Sequence, residues 1–194
     1  MAAVPNCAKG RSSAAMTEDV VLGENGTLQN VVVYLKGDFS QYSFETLDSP
    51  VNIDQKGCTY VPHVLALRVG QPLRVTNSDL ATHNIHTVPK VNRPRNDSQS
   101  SGTLPINQTF SRQEVAIPVK CNIHSWMKAY IAVLSTPYFQ VTGKDGSFEI
   151  SNVPPGTYMV TAWHERYGIS EQSVTIGPKE SKALTITFKA SASH

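Results

Sequence analysis

The sequence predicts an all-β protein, and three observations carry that expectation. Short runs of β-branched or alternating apolar residues recur along the chain. Gly, Pro, Asn and Asp punctuate them at the spacing of a β-sandwich or barrel. No stretch keeps a 3.6-residue apolar period over three turns, so nothing reads as an amphipathic helix.

The elements follow in order. The turn Glu24-Asn25-Gly26 precedes a β-branched strand at 31–35. Residues 64–69 alternate, and Gly70-Gln71-Pro72 ends them before a strand at 73–76. Further strands are expected at 84–88, 113–119, 129–134, 148–150, 157–163, 172–176 and 183–188. Residues 92–109 are rich in Asn, Pro, Ser, Gln and Gly, and read as a long exposed loop. Composition shifts near Ser135-Thr136-Pro137. Beyond it, Asp145-Gly146 reads as a hairpin turn and Pro154-Pro155-Gly156 as a second turn. These turns outline a second β unit too thin for an independent core, one that is expected to borrow strands from elsewhere.

The chain has 194 residues, 40% of them hydrophobic. That allows one large domain or two small ones. The net charge of +2 and the lack of a basic run argue against nucleic acid as a partner. No run of 18 apolar residues exists, so no membrane span is expected. The first 15 residues are small and polar and lack the apolar region of a signal peptide. A periplasmic or extracellular protein is still expected, with its signal peptide removed. Val4-Pro5-Asn6-Cys7 is a poor lipidation signal. Sequons occur at Asn25, Asn96 and Asn107 and carry little weight.

Three cysteines are present, Cys7, Cys58 and Cys121. An odd count leaves one thiol for chemistry if the other two pair. Cys121 lies in Cys121-Asn122-Ile123-His124-Ser125-Trp126-Met127, a loop between two expected strands that offers a thiolate, an imidazole and a thioether. Upstream, His83-Asn84-Ile85-His86 opens another strand. Two imidazoles, one thiolate and a weak thioether are the donor set of a blue-copper electron-transfer site. The expected ligands are therefore His83, Cys121, His124 and Met127. Zinc is the alternative ion for the same donors. A thiol hydrolase would leave Met127 without a role. Cys7 and Cys58 then become a candidate disulfide, which implies an oxidising compartment.

Residues 51–136 resemble the cupredoxins, and within them the amicyanin branch. Val69-Gly70-Gln71-Pro72-Leu73-Arg74-Val75, His83-Asn84-Ile85-His86 and the Cys-x2-His-x2-Met loop carry the resemblance. It implies a Greek-key sandwich holding one type 1 copper. It gives Asn84 a supporting role, bonding the Cys loop and joining the two halves of the site. It makes His124 the ligand nearest solvent, and leaves His86 out of the ligand set. Cys58 departs from the pattern, since an apolar residue is usual there. A second metal site using Cys58, His63 or His86 stays open beside the disulfide.

Residues 137–189 resemble the carboxypeptidase regulatory-like (transthyretin-like) β-sandwich through Asp145-Gly146-Ser147-Phe148 and Val153-Pro154-Pro155-Gly156-Thr157-Tyr158. Residues 26–37 look like the opening strand of that family. The expected layout is a tail at 1–17, strands at 18–49 belonging to the transthyretin-like domain, a cupredoxin domain at 50–136, the transthyretin-like domain at 137–189, and a tail at 190–194. Simple tandem order is the rival. No zinc-peptidase motif is present, and Trp163-His164-Glu165 reads as a strand end packed against the neighbouring domain.

The expected function is electron carriage by one copper ion between unidentified redox proteins, with docking through the second β unit. The alternatives are a copper-handling protein and an adhesion-like sandwich with a structural metal. No enzyme activity is expected, because a mononuclear blue site has protein ligands throughout and no open position.

Overall fold

The computed structural model describes Cys7 and residues 17–189. The expected tails at 1–17 and 190–194 otherwise lie outside the described residues. Thirteen strands and one 3-10 turn are found among the described residues. In chain order the strands are β1 (Val32–Lys36), β2 (Val51–Gln55), β3 (Tyr60–Val61), β4 (Val64–Arg68), β5 (Leu73–Asn77), β6 (His83–Thr87), β7 (Arg95–Gln99), β8 (Ile106–Gln108), β9 (Glu114–Lys120), β10 (Lys128–Leu134), β11 (Phe139–Val141), β12 (Gly156–His164) and β13 (Gly168–Ile176). The all-β expectation holds. No helix among the described residues is long and apolar enough to cross a membrane.

The described chain divides into two compact units. One takes Cys7, residues 17–18 and 45–135; the other takes 19–44 and 136–189. The first unit is a sandwich of two sheets, ordered β4-β10-β9-β6-β7 and β3-β2-β5-β8. Most neighbours are antiparallel, but β4 runs parallel to β10 and β2 parallel to β5. Chain neighbours β2/β3, β6/β7 and β9/β10 pair directly, and at the other steps the chain crosses between the sheets, as in Greek-key wiring. Alternation places Ile53, Leu65, Leu67, Leu73, Val75, Ile85, Ile117, Val119, Ala129, Ile131 and Val133 between the sheets. Burial of such side chains stabilises by roughly 1.5–3 kcal/mol each.

The expected loop at 92–109 is instead partly sheet. Strand β7 pairs with β6, and β8 with β5. The buried side chains here are glutamines, with Ile106 partly buried beside Gln108, so no apolar alternation marks these strands. Buried Gln99 donates to the carbonyls of Val75 and Leu104 and accepts from Gln55 Nε2 at 2.6 Å. Gln108 Nε2 donates to Thr87 Oγ1.

In the second unit one sheet runs β11-β1-β12-β13, with every pair antiparallel. Strand β1 is buried because partners flank it on both edges and Val33 and Leu35 enter a core with Phe39, Tyr138, Tyr158, Val160 and Ala162. The turn at Asp145-Gly146 forms. Gly146 has φ +70°, and a Cβ there would lie 2.7 Å from Thr27 Cβ, so a side chain is excluded. The strands expected at 148–150 and 183–188 are not assigned as strand. Phe148, Ile150, Leu184, Ile186 and Phe188 still cover the sheet. Side-chain alternation reports which face is buried, and not whether the backbone meets a ladder partner. Between this layer and the sheet lies a cleft of about 1200 Å³. His164 is buried at the end of β12, where its ring stacks on Tyr167 and lies near Phe188 of the same unit.

Candidate metal centre

Strand register places the four expected ligands. His83 opens β6, opposite Gln99. Cys121 directly follows β9, and Met127 directly precedes β10. The loop between closes on itself: Met127 N donates to His124 O at 2.9 Å, and Cys121 N to Met127 O at 3.4 Å. All four side chains are buried, His83 completely.

Nitrogens and sulfur converge. His83 Nδ1 lies 3.0 Å from His124 Nδ1, and Cys121 Sγ lies 3.8 Å from His124 Nδ1. The thiol sulfur also accepts the N–H groups of Asn84 and His124, each at 3.4 Å. The outer ring nitrogens are engaged elsewhere. His83 Nε2 lies 2.9 Å from Asp79 Oδ2, and His124 Nε2 lies 3.7 Å from Cys7 Sγ. Neither partner has a hydrogen to give, so each outer nitrogen is placed to be the N–H donor and each Nδ1 the inward acceptor of a neutral ring. Two Nδ1 atoms 3.0 Å apart need a proton or a metal cation between them.

The electrostatics agree. Burial pulls His83 down, but bonds to Cys121 and Asp79 outweigh it and raise its pKa. Burial pushes Cys121 up, yet the His83 imidazole and the N–H groups of Asn84, His124 and Ile123 bring it below the ordinary thiol value. Burial and then the charge on His83 lower His124. The shifts of Cys121 and His83 run toward a deprotonated sulfur and a protonated imidazole, the groups whose protons a metal cation would displace. Two imidazoles, a thiolate and a buried thioether fit a soft, borderline ion such as copper.

The residues singled out in the sequence take the following places. His124 is 5% exposed, level with Cys121 and above Met127 and His83, though still buried. Its outer edge is covered by Cys7 and by Trp126, whose ring centroid lies 5.1 Å away. Cys7 and Cys58 form a disulfide, so their sulfurs are not free metal ligands. Asn84 reaches the Cys loop through its backbone N–H. Its side chain donates to Asn96 Oδ1 on β7, which also accepts from Asn122 of the loop. His86 bonds Asn122, and His63 pairs with Glu18 at 3.7 Å, both apart from the converging atoms. Sequence reasoning missed Asp79, Trp126 and Asn96. Only the turn-like Asn77-Ser78-Asp79 four residues before His83 hinted at the first.

The model of the carboxypeptidase regulatory-like domain matches residues 128–189. No curated protein matches the chain. Among solved structures, a copper-containing nitrite reductase (NirK) from Thermus scotoductus SA-01 is 23% identical over 48% of this chain and 24% of its own, with TM-score 0.42. Amicyanin from Paracoccus versutus is 14% identical over 46% and 85%, with TM-score 0.39. A purple cupredoxin from Nitrosopumilus maritimus is 21% identical over 42% and 97%, with TM-score 0.36. The chain spans about a quarter of the nitrite reductase. By its own strand order this is an all-β protein of two units, and residues 128–189 match a carboxypeptidase regulatory-like domain.

Proposed function

We propose that the chain is a type 1 (blue) copper protein that carries single electrons outside the cytoplasm. His83, His124 and Cys121 are the strong ligands, and Met127 is the weak fourth. The observation that carries this reading is the convergence of two Nδ1 atoms and the Cys121 sulfur, with the outer ring nitrogens turned to Asp79 and Cys7. Copper held there would cycle between two oxidation states, with no open position for a substrate. The chain's own residues bury the ion, fix both ring tautomers and stabilise the thiolate. The Cys7–Cys58 disulfide supports a periplasmic or extracellular location. Redox proteins are the partners, and the carboxypeptidase regulatory-like unit is the docking module.

The test is the visible and EPR spectrum of the copper-loaded protein. A strong thiolate-to-copper band that bleaches and returns on reduction and reoxidation is expected. A colourless copper complex would remove the reading. One observation favours a copper-handling role instead: Cys7 and Trp126 cover the outer edge of His124, a cover that would slow electron exchange through that ring. Under that second reading the blue form resists reoxidation and yields its copper to a chelating partner.

A further inference from the structure

Asp79 lies in the loop between β5 and β6, with a side chain only 10% exposed. Its Oδ1 accepts Gly57 N at 2.6 Å, and its Oδ2 accepts Cys58 N at 2.7 Å and His83 Nε2 at 2.9 Å. Its own N–H donates to Asn77 Oδ1. Gly57 and Cys58 both have positive φ, +61° and +54°, so their consecutive N–H groups turn toward one point. Such a pair of N–H groups makes an anion nest. Here the anion is supplied by the chain itself.

Both oxygens are therefore spoken for before any metal arrives. The carboxylate cannot swing away, and the nest that holds it belongs to the residue cross-linked to Cys7. From the same residue, Cys58 O accepts Trp126 Nε1–H at 3.1 Å. One turn thus braces the outer edges of both imidazoles: His83 through Asp79, His124 through Cys7 and Trp126.

We infer that Asp79 is a positioning residue that sets the tautomer of His83 and lowers the reduction potential of the metal it holds. The inference rests on the copper reading above. The carboxylate accepts Nε2–H and so leaves Nδ1 as the metal-facing lone pair. It makes the imidazole a stronger donor, as carboxylate partners of metal-bound histidines do. It also sets a negative charge one ring away from the ion, which favours the more highly charged oxidised state. A neutral acceptor in that place would fix the tautomer without the charge.

The experiment compares wild type, Asp79→Asn and Asp79→Glu with copper loaded and without. Asp79→Asn is expected to stay blue but to bind Cu(II) about 10- to 100-fold more weakly, the usual cost of losing such a partner. Cu(I) affinity should change less. Each tenfold preferential loss raises the potential by about 59 mV. Asp79→Glu keeps the charge and should return the potential toward wild type. A folded, blue Asp79→Asn protein with unchanged potential overturns the inference, as does an Asp79→Glu protein shifted as far as the Asn variant. Long-range ¹H–¹⁵N spectra of the metal-free wild type give a readout that needs neither copper nor a variant. Nε2-protonated His83 is expected, and an Nδ1-protonated neutral ring overturns the inference. If the wild type never turns blue, the copper reading fails, while the tautomer still decides what Asp79 does to His83.

Discussion

The two imidazoles of the candidate centre are held by opposite means. His83 stands on a strand, completely buried, with a carboxylate on its outer nitrogen. His124 stands in a loop, with a disulfide sulfur on its outer nitrogen and an indole across its face. The first is fixed by backbone register and charge, the second by packing and a covalent cross-link. Charge next to a ligand alters how strongly each oxidation state is held; an uncharged cover alters what can reach the ligand. The two sides of the site should therefore answer different perturbations.

The largest effect should come from the atom both sides share. Cys121→Ser replaces the sulfur that lies beside His124 and accepts two N–H groups. The visible band of the copper-loaded protein is expected to vanish. A surviving band would mean that another donor supplies the thiolate, and the comparison of the two rings would lose its centre.

The cover comes next. Replacing Cys7 and Cys58 together by Ser removes the cross-link between residues 51 apart. Stability of the first unit should fall by about 2–4 kcal/mol, measured by urea unfolding. The outer edge of His124 should open, so reduction of the blue form by a small hydrophilic reductant should accelerate. An unchanged rate would show that the cover does not govern access. Trp126→Phe is the milder version. It keeps an aromatic ring over His124 but loses the bond to Cys58 O, for about 1 kcal/mol and a small gain in the same rate.

Much of this contrast was legible in the sequence only on one side. The donor set could be read because Cys121, His124 and Met127 lie within one loop and local spacing brings them together. The two-sheet fold followed from alternation in strands such as 64–68 and 129–134. The supports could not be read. Asp79 looks like turn chemistry, and its target depends on Gly57 and Cys58 arriving from another loop. The cover on His124 comes from a residue 117 positions away. Strand β7 was hidden because its inward residue is Gln99, satisfied by hydrogen bonds rather than by apolar contact. Conversely, 183–188 alternates like a strand and packs like one, without a ladder. Periodicity records burial, whereas pairing and polar partnership are tertiary facts.

The smallest effect sharpens the comparison by leaving both rings alone. Glu114 opens β9 and gathers the loop after β6, accepting the N–H groups of Lys90, Val91 and Asn92 and the Asn92 side chain. Burial alone would raise its pKa, but these donors outweigh it and hold the carboxyl below its ordinary value of 4.5. A carboxyl depressed in the folded state stabilises above its unfolded pKa, and that stability drains away as pH falls through the folded value. Glu114→Gln should therefore cost about 1 kcal/mol at neutral pH, a figure already reduced for partial exposure. The gap between variant and wild type should close only below about pH 4.5. Urea midpoints taken from pH 7 down to pH 3 give the curve. A gap that persists unchanged at pH 3 would assign the loss to packing rather than to the charge. Copper affinity and potential should match wild type throughout, because the bonds of Glu114 end in the 90–92 loop and touch neither His83 nor His124.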